Sequence, residues 1–412
     1  MRVSTLHIAW RNLGRNRKRT ILALLAVTVG QFALLATNSL MHGYTDNIRR
    51  AITGPMVGHV QIHHPEWREE RAMDQQIANL AKAQSAIAQE AGVKTVAPRI
   101  YSSVLMAPKR DGYAATVIGV DIKAESSDYG LLSGREGETA PDKNQVLIGY
   151  ILARRSRARP GQEIAIVGQA ADGSFAADLY TVKGIIRSPS SLVNESGVVM
   201  PLTEAQRLFA MPNAVHELVI RAESGTESRP LAQHLQKLSE LRELEVTPWQ
   251  NIVPELVTVL EMSDHVGYFV IALVFVAAIA GIANTMMMST FERLHEFGML
   301  LALGGRPRRL VKMIIIESLL LGVLGVLVGT VVGYIFVFVF QGQGIDMASW
   351  GGSRAVEDLT FQGLRLPLRI HPRLEIGDTV AGLIAVMVTA LVAALWPAAY
   401  AARLEPMEAM RS

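Results

Sequence analysis

The pair His295-Glu296 matches the first two positions of the zinc motif H-E-x-x-H, whose histidines lie four residues apart on one helix face. Four residues beyond His295 stands Met299, so the second ligand is missing and the spacing rejects zinc there. Another group, His59, His63 and His64 in "GHVQIHHPEW", has Glu66 close by. On a strand, His59 and His63 would share a face. That permits a metal site, but an exposed polar strand edge is the commoner arrangement, and no metal ligand is assigned. Cysteine is absent, which excludes disulfides, thiolate metal sites and cysteine nucleophiles. Neither the phosphate-cradling G-x-x-x-x-G-K-[ST] nor the nucleophile elbow G-x-S-x-G occurs, and scattered Ser, His and Asp define no triad. No catalytic residue, metal or cofactor is expected in this chain, and no nucleic-acid partner.

The elements around these residues belong to a membrane protein. Half of the residues are apolar and 19% are charged, and the mean hydropathy is positive. Residues 20–45, 265–291, 318–345 and 379–402 contain no Asp, Glu, Lys or Arg. Each can cross a hydrocarbon core, which needs roughly 20 helical residues. The first is too long for the apolar part of a cleavable signal, which runs about 7–15 residues, and is read as a retained span. Arg2, Arg11, Arg15, Arg17, Lys18 and Arg19 precede it, and Arg293, Arg306, Arg308, Arg309 and Lys312 lie between the second and third spans. Positive charge marks the cytoplasmic side, so both termini are expected inside, with 46–264 and 346–378 outside. Leu6, Trp10 and Leu13 suit a helix in the inner interface with Trp10 at headgroup level, as an anchor or with a mechanical role of its own.

The expected fold is α-helical with four transmembrane helices, plus a large α+β extracytoplasmic domain between the first and second spans. That domain carries a helix over 74–91 with Asp74 as N-cap and a second helix over 229–244. Between them lie β-branched runs such as "VKTVAPRI", "AATVIGVD", "QVLIGYILA" and "HELVIRA". "NIVPELVTVLEMSDHVGYFV" reads as a helix running unbroken into the second span. In the third span Gly325, Gly329 and Gly333 form a small-xxx-small packing seam. Glu317, near its inner end, is expected to snorkel to the interface. The boundaries are thus 1–45, 46–264 and 265–412.

Between the second and third spans, "FERLHEFGMLLALGG" places Leu294, Phe297 and Leu301 on one helical face with Arg293 and Glu296 beside it. Such a helix over about 291–304 fits a partner's groove or a lipid interface.

The order of "AWRNLGRNRKRTILALLAVTVG", "GHVQIHHPEW", "ATVIGVD", "QVLIGYILARRSRARPGQEIAIVG", "YTVKGIIRS", "IANTMMMSTFERLHEFGMLLALGGRPRRLVKMIIIESLLLGVLGVLVG" and "LEPMEAMRS" resembles the FtsX/MacB/lipoprotein-releasing class of ABC-transporter permeases. The resemblance implies a bacterial inner-membrane permease with a periplasmic domain, two permeases per transporter, and a cytoplasmic ATPase that binds ATP and Mg. The ATPase is expected as a separate chain. By the same resemblance the short helix is the coupling helix, with Glu292, Arg293, Glu296, Phe297, Gly298, Leu301 and Gly304 as docking candidates. Lipoprotein-releasing members extract acylated proteins from the outer leaflet. Gln31, Thr37, Asn38 and Ser39 could then face a substrate cavity, or serve helix–helix hydrogen bonding. The resemblance leaves open efflux with a periplasmic adaptor and FtsX-like control of a peptidoglycan hydrolase. The expected partners are therefore the ATPase, a second permease, membrane lipids, and a lipoprotein with its periplasmic acceptor or an adaptor.

Overall fold

The computed structural model describes residues 17–127, 130–133, 140–223, 226–346, 360–361, 364–365 and 369–403. The N-terminal segment with Trp10, residues 347–359 of the loop before the last span, and the closing 404–412 lie outside the described residues. The chain divides into two compact units, one of residues 1–45, 259–350 and 369–412, the other of 46–258 and 351–368.

Helix α1 (Arg17–Ala51) ends in a wider turn, Ile52–Met56, in which the Val57 N–H reaches back five residues to the Ile52 carbonyl at 3.1 Å. Pro55 supplies no N–H, so the regular ladder cannot continue through it and the backbone opens. The α+β unit then runs β1 (Val60–His63), α2 (Trp67–Glu70), α3 (Leu80–Ala88), β2 (Val93–Ala107), β3 (Tyr113–Val120), α4 (Ile122–Glu125) and β4 (Gln145–Gly149). It continues through α5 (Tyr150–Ser156), β5 (Glu163–Gln169), β6 (Phe175–Ile186), α6 (Ser191–Ser196), β7 (Gly197–Pro201) and α7 (Leu202–Leu208). Last come β8 (Glu217–Ala222), α8 (Ser228–Leu235), β9 (Glu245–Pro248) and α9 (Trp249–Ile252).

The strand order β3-β7-β4-β6-β5-β2 closes on itself, because β2 also pairs with β3. Closure removes sheet edges that would otherwise recruit foreign strands. The long β2 makes this possible: its second half pairs with β5 while its first half pairs with β8, from which β1 and β9 extend. Apolar side chains including Ile62, Ile100, Val117, Ile148, Ile166 and Leu218 fill one core.

Three expectations change here. β1 is no exposed edge: it lies between β8 and β9 and all four of its residues are buried. The first domain helix starts at Leu80 rather than Asp74, because Ile77 is taken into a backbone pair with Val215 and Asn79 turns left-handed at φ 56°. The helix expected over 229–244 stops at Leu235. Beyond it the Gln236 side chain bonds the carbonyls of Leu241 and Leu244 and the N–H of Val246, drawing the chain into β9.

The other helices are α10 (Pro254–Glu292), α11 (Leu294–Ala302), α12 (Pro307–Gln343) and α13 (Ile376–Ala402). Together with α1, the three longer ones give four helices long and apolar enough to cross a membrane. α10 is unbroken from Pro254, with the only interruption at Val253 just before it. α12 lays its glycines against α1. A Cβ at Gly325 would stand 2.5 Å from Val27 Cγ1, at Gly329 2.7 Å from Gln31 Cβ, and at Gly333 2.9 Å from Leu35 Cδ1. These distances leave no room for a side chain, so the helix backbones approach as small-residue seams allow. α13 joins α12 through Ser318 Oγ, which donates to the Ala390 carbonyl at 2.7 Å.

Candidate functional site

At two helix ends, charged groups are buried instead of left in solvent. At the first, α10 stops at Glu292, Arg293 turns out of helical geometry at φ −112°, and α11 begins at Leu294. Arg293 is buried, and its Nη1 donates to Glu317 Oε2 of α12 at 3.1 Å. Glu317 is buried as well and does not snorkel. An unpaired cation inside this helix packing would be expensive, so each charge justifies the other. The turn after α11 needs a glycine: Gly304 has φ +87°, and Gly305 N–H closes onto the Leu300 carbonyl at 2.9 Å.

The docking candidates divide across this geometry. Arg293, Phe297 and Gly298 point into the helix core, with Phe297 packed in the same cluster as Ile282, Met286 and Leu310. Of the face formed by Leu294, Phe297 and Leu301, the centre at Phe297 is taken up by the chain's own α10 and α12, while Leu294 and Leu301 are half-buried. Glu292 and Gly304 are exposed, and Glu296 and Leu301 half-buried. The outward apolar residues are Met299, Leu300 and Leu303, the last 86% exposed. Helical spacing placed Leu294, Phe297 and Leu301 correctly on one face, but spacing alone does not say which face turns inward.

At the second helix end, the carbonyls of Gly54, Pro55 and Met56 meet two guanidinium groups. Arg221 Nε donates to Gly54 O at 2.8 Å, Arg99 Nη2 to Pro55 O at 2.7 Å, and Arg99 Nη1 to Met56 O at 2.7 Å. Glu125 balances both cations: Oε1 accepts from Arg99 Nε at 2.7 Å, and Oε2 accepts from Arg221 Nη2 at 2.7 Å and from Leu131 N–H at 2.8 Å. All three side chains are buried. Asp121 caps α4 by accepting from the N–H groups of Lys123 and Ala124, and so sets the helix turn on which Glu125 stands. Burial raises the proton affinity of Glu125, but Arg99 and Arg221 outweigh it and hold the carboxyl below its ordinary value. Nearby Glu217, opposite Arg99 in the β2–β8 pair, is pushed up by burial. Neither arginine was singled out from the sequence. The available signal was an Arg inside each of two apolar strand runs, "VAPRIY" and "ELVIRA".

The histidines are built into the sheet. His59 Nδ1 accepts from Ala222 N–H at 3.2 Å, and His216 Nδ1 accepts from Tyr101 N–H at 3.1 Å while the ring stacks on Trp67 at 5.6 Å. An imidazole that accepts a backbone N–H must be neutral at that nitrogen. Burial lowers the pKa of His59 and of His216 to about 4. His63 is buried beside Trp67, and His64 leads into α2.

Of the polar residues in α1, Gln31 is 1% exposed and donates to Thr330 Oγ1 at 3.3 Å. It also lines a cleft with Val27, Gly30, Leu34 and Phe275. Asn38 donates to Asp378 Oδ1 at 3.0 Å, and Ser39 turns back onto the Ala36 carbonyl at 2.9 Å. His42 Nε2 meets the other oxygen of Asp378 at 3.0 Å. Thr37 is half-buried. Gln31 and Asn38 thus bond across helices through their amide nitrogens, while Gln31 Oε1 is buried without a hydrogen-bond partner among the described residues.

Residues 20–238 match the MacB-like periplasmic core domain and residues 268–406 the FtsX-like permease C-terminal region. The chain is 22% identical over 410 residues to the macrolide export ATP-binding/permease protein MacB of Salmonella paratyphi A, covering 91% of this chain and 60% of MacB. The chain thus spans about 60% of the length of that curated relative. It is 19% identical to the lipoprotein-releasing system transmembrane protein LolC of Neisseria meningitidis, covering 95% and 94% of the two chains. To LolE of Haemophilus influenzae it is 23% identical, covering 98% of each. The chain therefore belongs to the class of ABC-transporter permeases built from a MacB-like periplasmic core domain and an FtsX-like permease C-terminal region.

Proposed function

We propose that this chain is the permease subunit of a mechanotransmission ABC transporter that releases lipoproteins or other lipid-linked cargo from the outer leaflet of a bacterial inner membrane. The observation that supports the cargo class is the similarity to LolC and LolE, at 19% and 23% identity over 95% and 98% of this chain. Both termini and α11 lie on the cytoplasmic side in this reading, as the Lys and Arg distribution favours, and the α+β unit is periplasmic. A separate ATPase binds ATP and Mg and closes a pair of permeases, identical copies or paralogues. Helices α1 and α10 pass the movement outward, and the cargo leaves to a soluble periplasmic acceptor.

Docking on the ATPase falls to the outward side of α11. Leu303, Met299 and Leu300 supply apolar contact, while Glu292, Glu296 and His295 set register. Arg293, Phe297 and Gly298 support that surface from behind. A cleft lined by Gln31 and Phe275 offers the acyl chains a largely apolar wall.

The test reconstitutes the chain with its ATPase in nanodiscs loaded with a triacylated lipoprotein and a soluble acceptor. ATP-dependent transfer to the acceptor is expected. Transport of small amphiphiles through an adaptor, without lipoprotein transfer, would replace this reading by efflux. ATP-dependent activation of a peptidoglycan hydrolase without any transfer would replace it by hydrolase control.

A further inference from the structure

At the junction between α1 and the sheet, three consecutive backbone carbonyls are received by side chains from distant parts of the chain. Gly54, Pro55 and Met56 present them in the wide turn, Arg221 of β8 takes the first, and Arg99 of β2 takes the other two. The last carbonyls of a helix have no partners inside it and carry the negative end of the helix dipole, so cations are favoured there. Here the cations are two guanidinium forks fixed on adjacent paired strands. Glu125 holds both forks from behind with one oxygen each. Each of the three side chains is 4% exposed or less.

The arrangement has features that a generic buried ion pair lacks. One carboxylate carries half the charge of the two arginines, and beyond it and Glu217 Oε1, 3.9 Å from Arg99 Nη1, both forks reach the backbone of the turn. Pro55 stands where an unbroken helix would need an N–H, and opening the turn there frees the carbonyls to face the strands. Gly54 and Pro55 are buried, and Gly58 follows at φ +70°, where a Cβ would stand 2.6 Å from Val219. The turn is therefore fitted to the sheet on its backbone side. His59 N–H then bonds the Ile220 carbonyl at 2.8 Å, extending the attachment along β8.

We propose that Arg99, Glu125 and Arg221 form a mechanical joint that fixes the end of α1 to β2 and β8, so that displacement of the first span moves these strands instead of bending the turn. This rests on the transmission reading above. The three are positioning residues: none is assigned contact with ATPase or cargo. Hydrogen bonds to charged donors and a fully balanced carboxylate resist bending better than an apolar contact, which slides without a directional penalty.

The test is hydrogen exchange on the full permease–ATPase complex in nanodiscs, at rest and trapped with ATP and vanadate. It compares wild type with Glu125→Gln, Arg99→Met and Arg221→Lys. The lysine variant keeps the charge but loses the fork. In the variants, resting exchange over 52–58 should rise by about ten-fold or more, while β4–β7 keep their wild-type protection. The nucleotide-dependent change should persist in α1 and vanish from β1, β2 and β8. A variant with a loosened 52–58 segment that retains the wild-type nucleotide response in those strands overturns the joint. So does unchanged exchange at 52–58, or a uniform rise across the sheet in every variant, which would mark an ordinary core cluster. A wild-type complex with no nucleotide response in α1 or the sheet overturns the transmission reading and the joint with it.

Discussion

The Arg99–Glu125–Arg221 centre and the Arg293–Glu317 pair both bury ionic groups at a helix end, but they solve the burial differently. At the first, Glu125 bridges two guanidiniums, Glu217 Oε1 lies 3.9 Å from Arg99 Nη1, and three backbone carbonyls accept from the same arginines at 2.7–2.8 Å. At the second, one carboxylate meets one guanidinium at 3.1 Å across α11's entry and α12. The carbonyl dipoles add to the carboxyl groups in offsetting the repulsion between the two cations. A buried charge centre depends on its complete set of partners, backbone included, since desolvation must be offset at every donor and acceptor.

Removing the central anion should have the largest effect. Glu125→Ala removes the carboxylate that both buried guanidiniums share and should cost about 3–5 kcal/mol, read as a fall in thermal or urea stability of the full chain followed by tryptophan fluorescence. A loss under about 1 kcal/mol would mean that water compensates the arginines and would erase the contrast. Glu317→Ala should cost less, about 1.5–3 kcal/mol, as expected for losing a hydrogen bond between charged groups. Replacing both Arg293 and Glu317 by Met should recover part of that loss, which a double-mutant cycle would quantify.

Acidification offers a third way to separate the two centres. His59 and His216 are neutral in the folded protein with pKa values lowered to about 4 from 6.5. Between those values the unfolded chain binds more protons, so stability of the α+β unit should fall as pH drops from about 6.5 to about 4. Glu125, whose folded pKa is also depressed, adds stability that is present above its ordinary value of 4.5 and is lost as pH falls through the folded one. Thermal melts at pH 7 and 5 should show the histidine part, and Asn at both positions should flatten it. An unchanged slope would assign the acid sensitivity elsewhere.

The smallest stability effect is expected at the surface of α11. Leu303→Asp should change unfolding by less than about 0.5 kcal/mol yet weaken association with the ATPase in a pull-down of the detergent-purified complex. Phe297→Asp should instead destabilise the helix core, so a loss of coupling there would carry no information about docking. If Leu303→Asp assembles and couples normally, the outward side of α11 is not the docking surface.

The four long helices were legible in the sequence because a span needs an apolar run of set length, and charge-free runs announce themselves. The β-branched runs likewise announced the strands. The helix starting at Leu80 was blurred because Ile77 pairs with Val215, far away in sequence. At the elbow, "FERLHEFGMLLALGG" displayed its amphipathic period, but the partner of Arg293 lies 24 residues further on in α12, so the residue looked like a surface charge. Arg99 and Arg221 were invisible as a pair for the same reason.

Local properties, then, were determined by the sequence itself: which segments can enter a membrane, where glycine permits helices to approach, and the absence of cysteine and phosphate-loop chemistry. Tertiary structure decided which face of α11 turns inward, that β1 is central in its sheet, and that three carbonyls at the end of α1 meet Arg99 and Arg221. The reason is physical: hydropathy and periodicity act through neighbouring residues, whereas the worth of a buried charge depends on partners that only chain folding brings within about 3 Å.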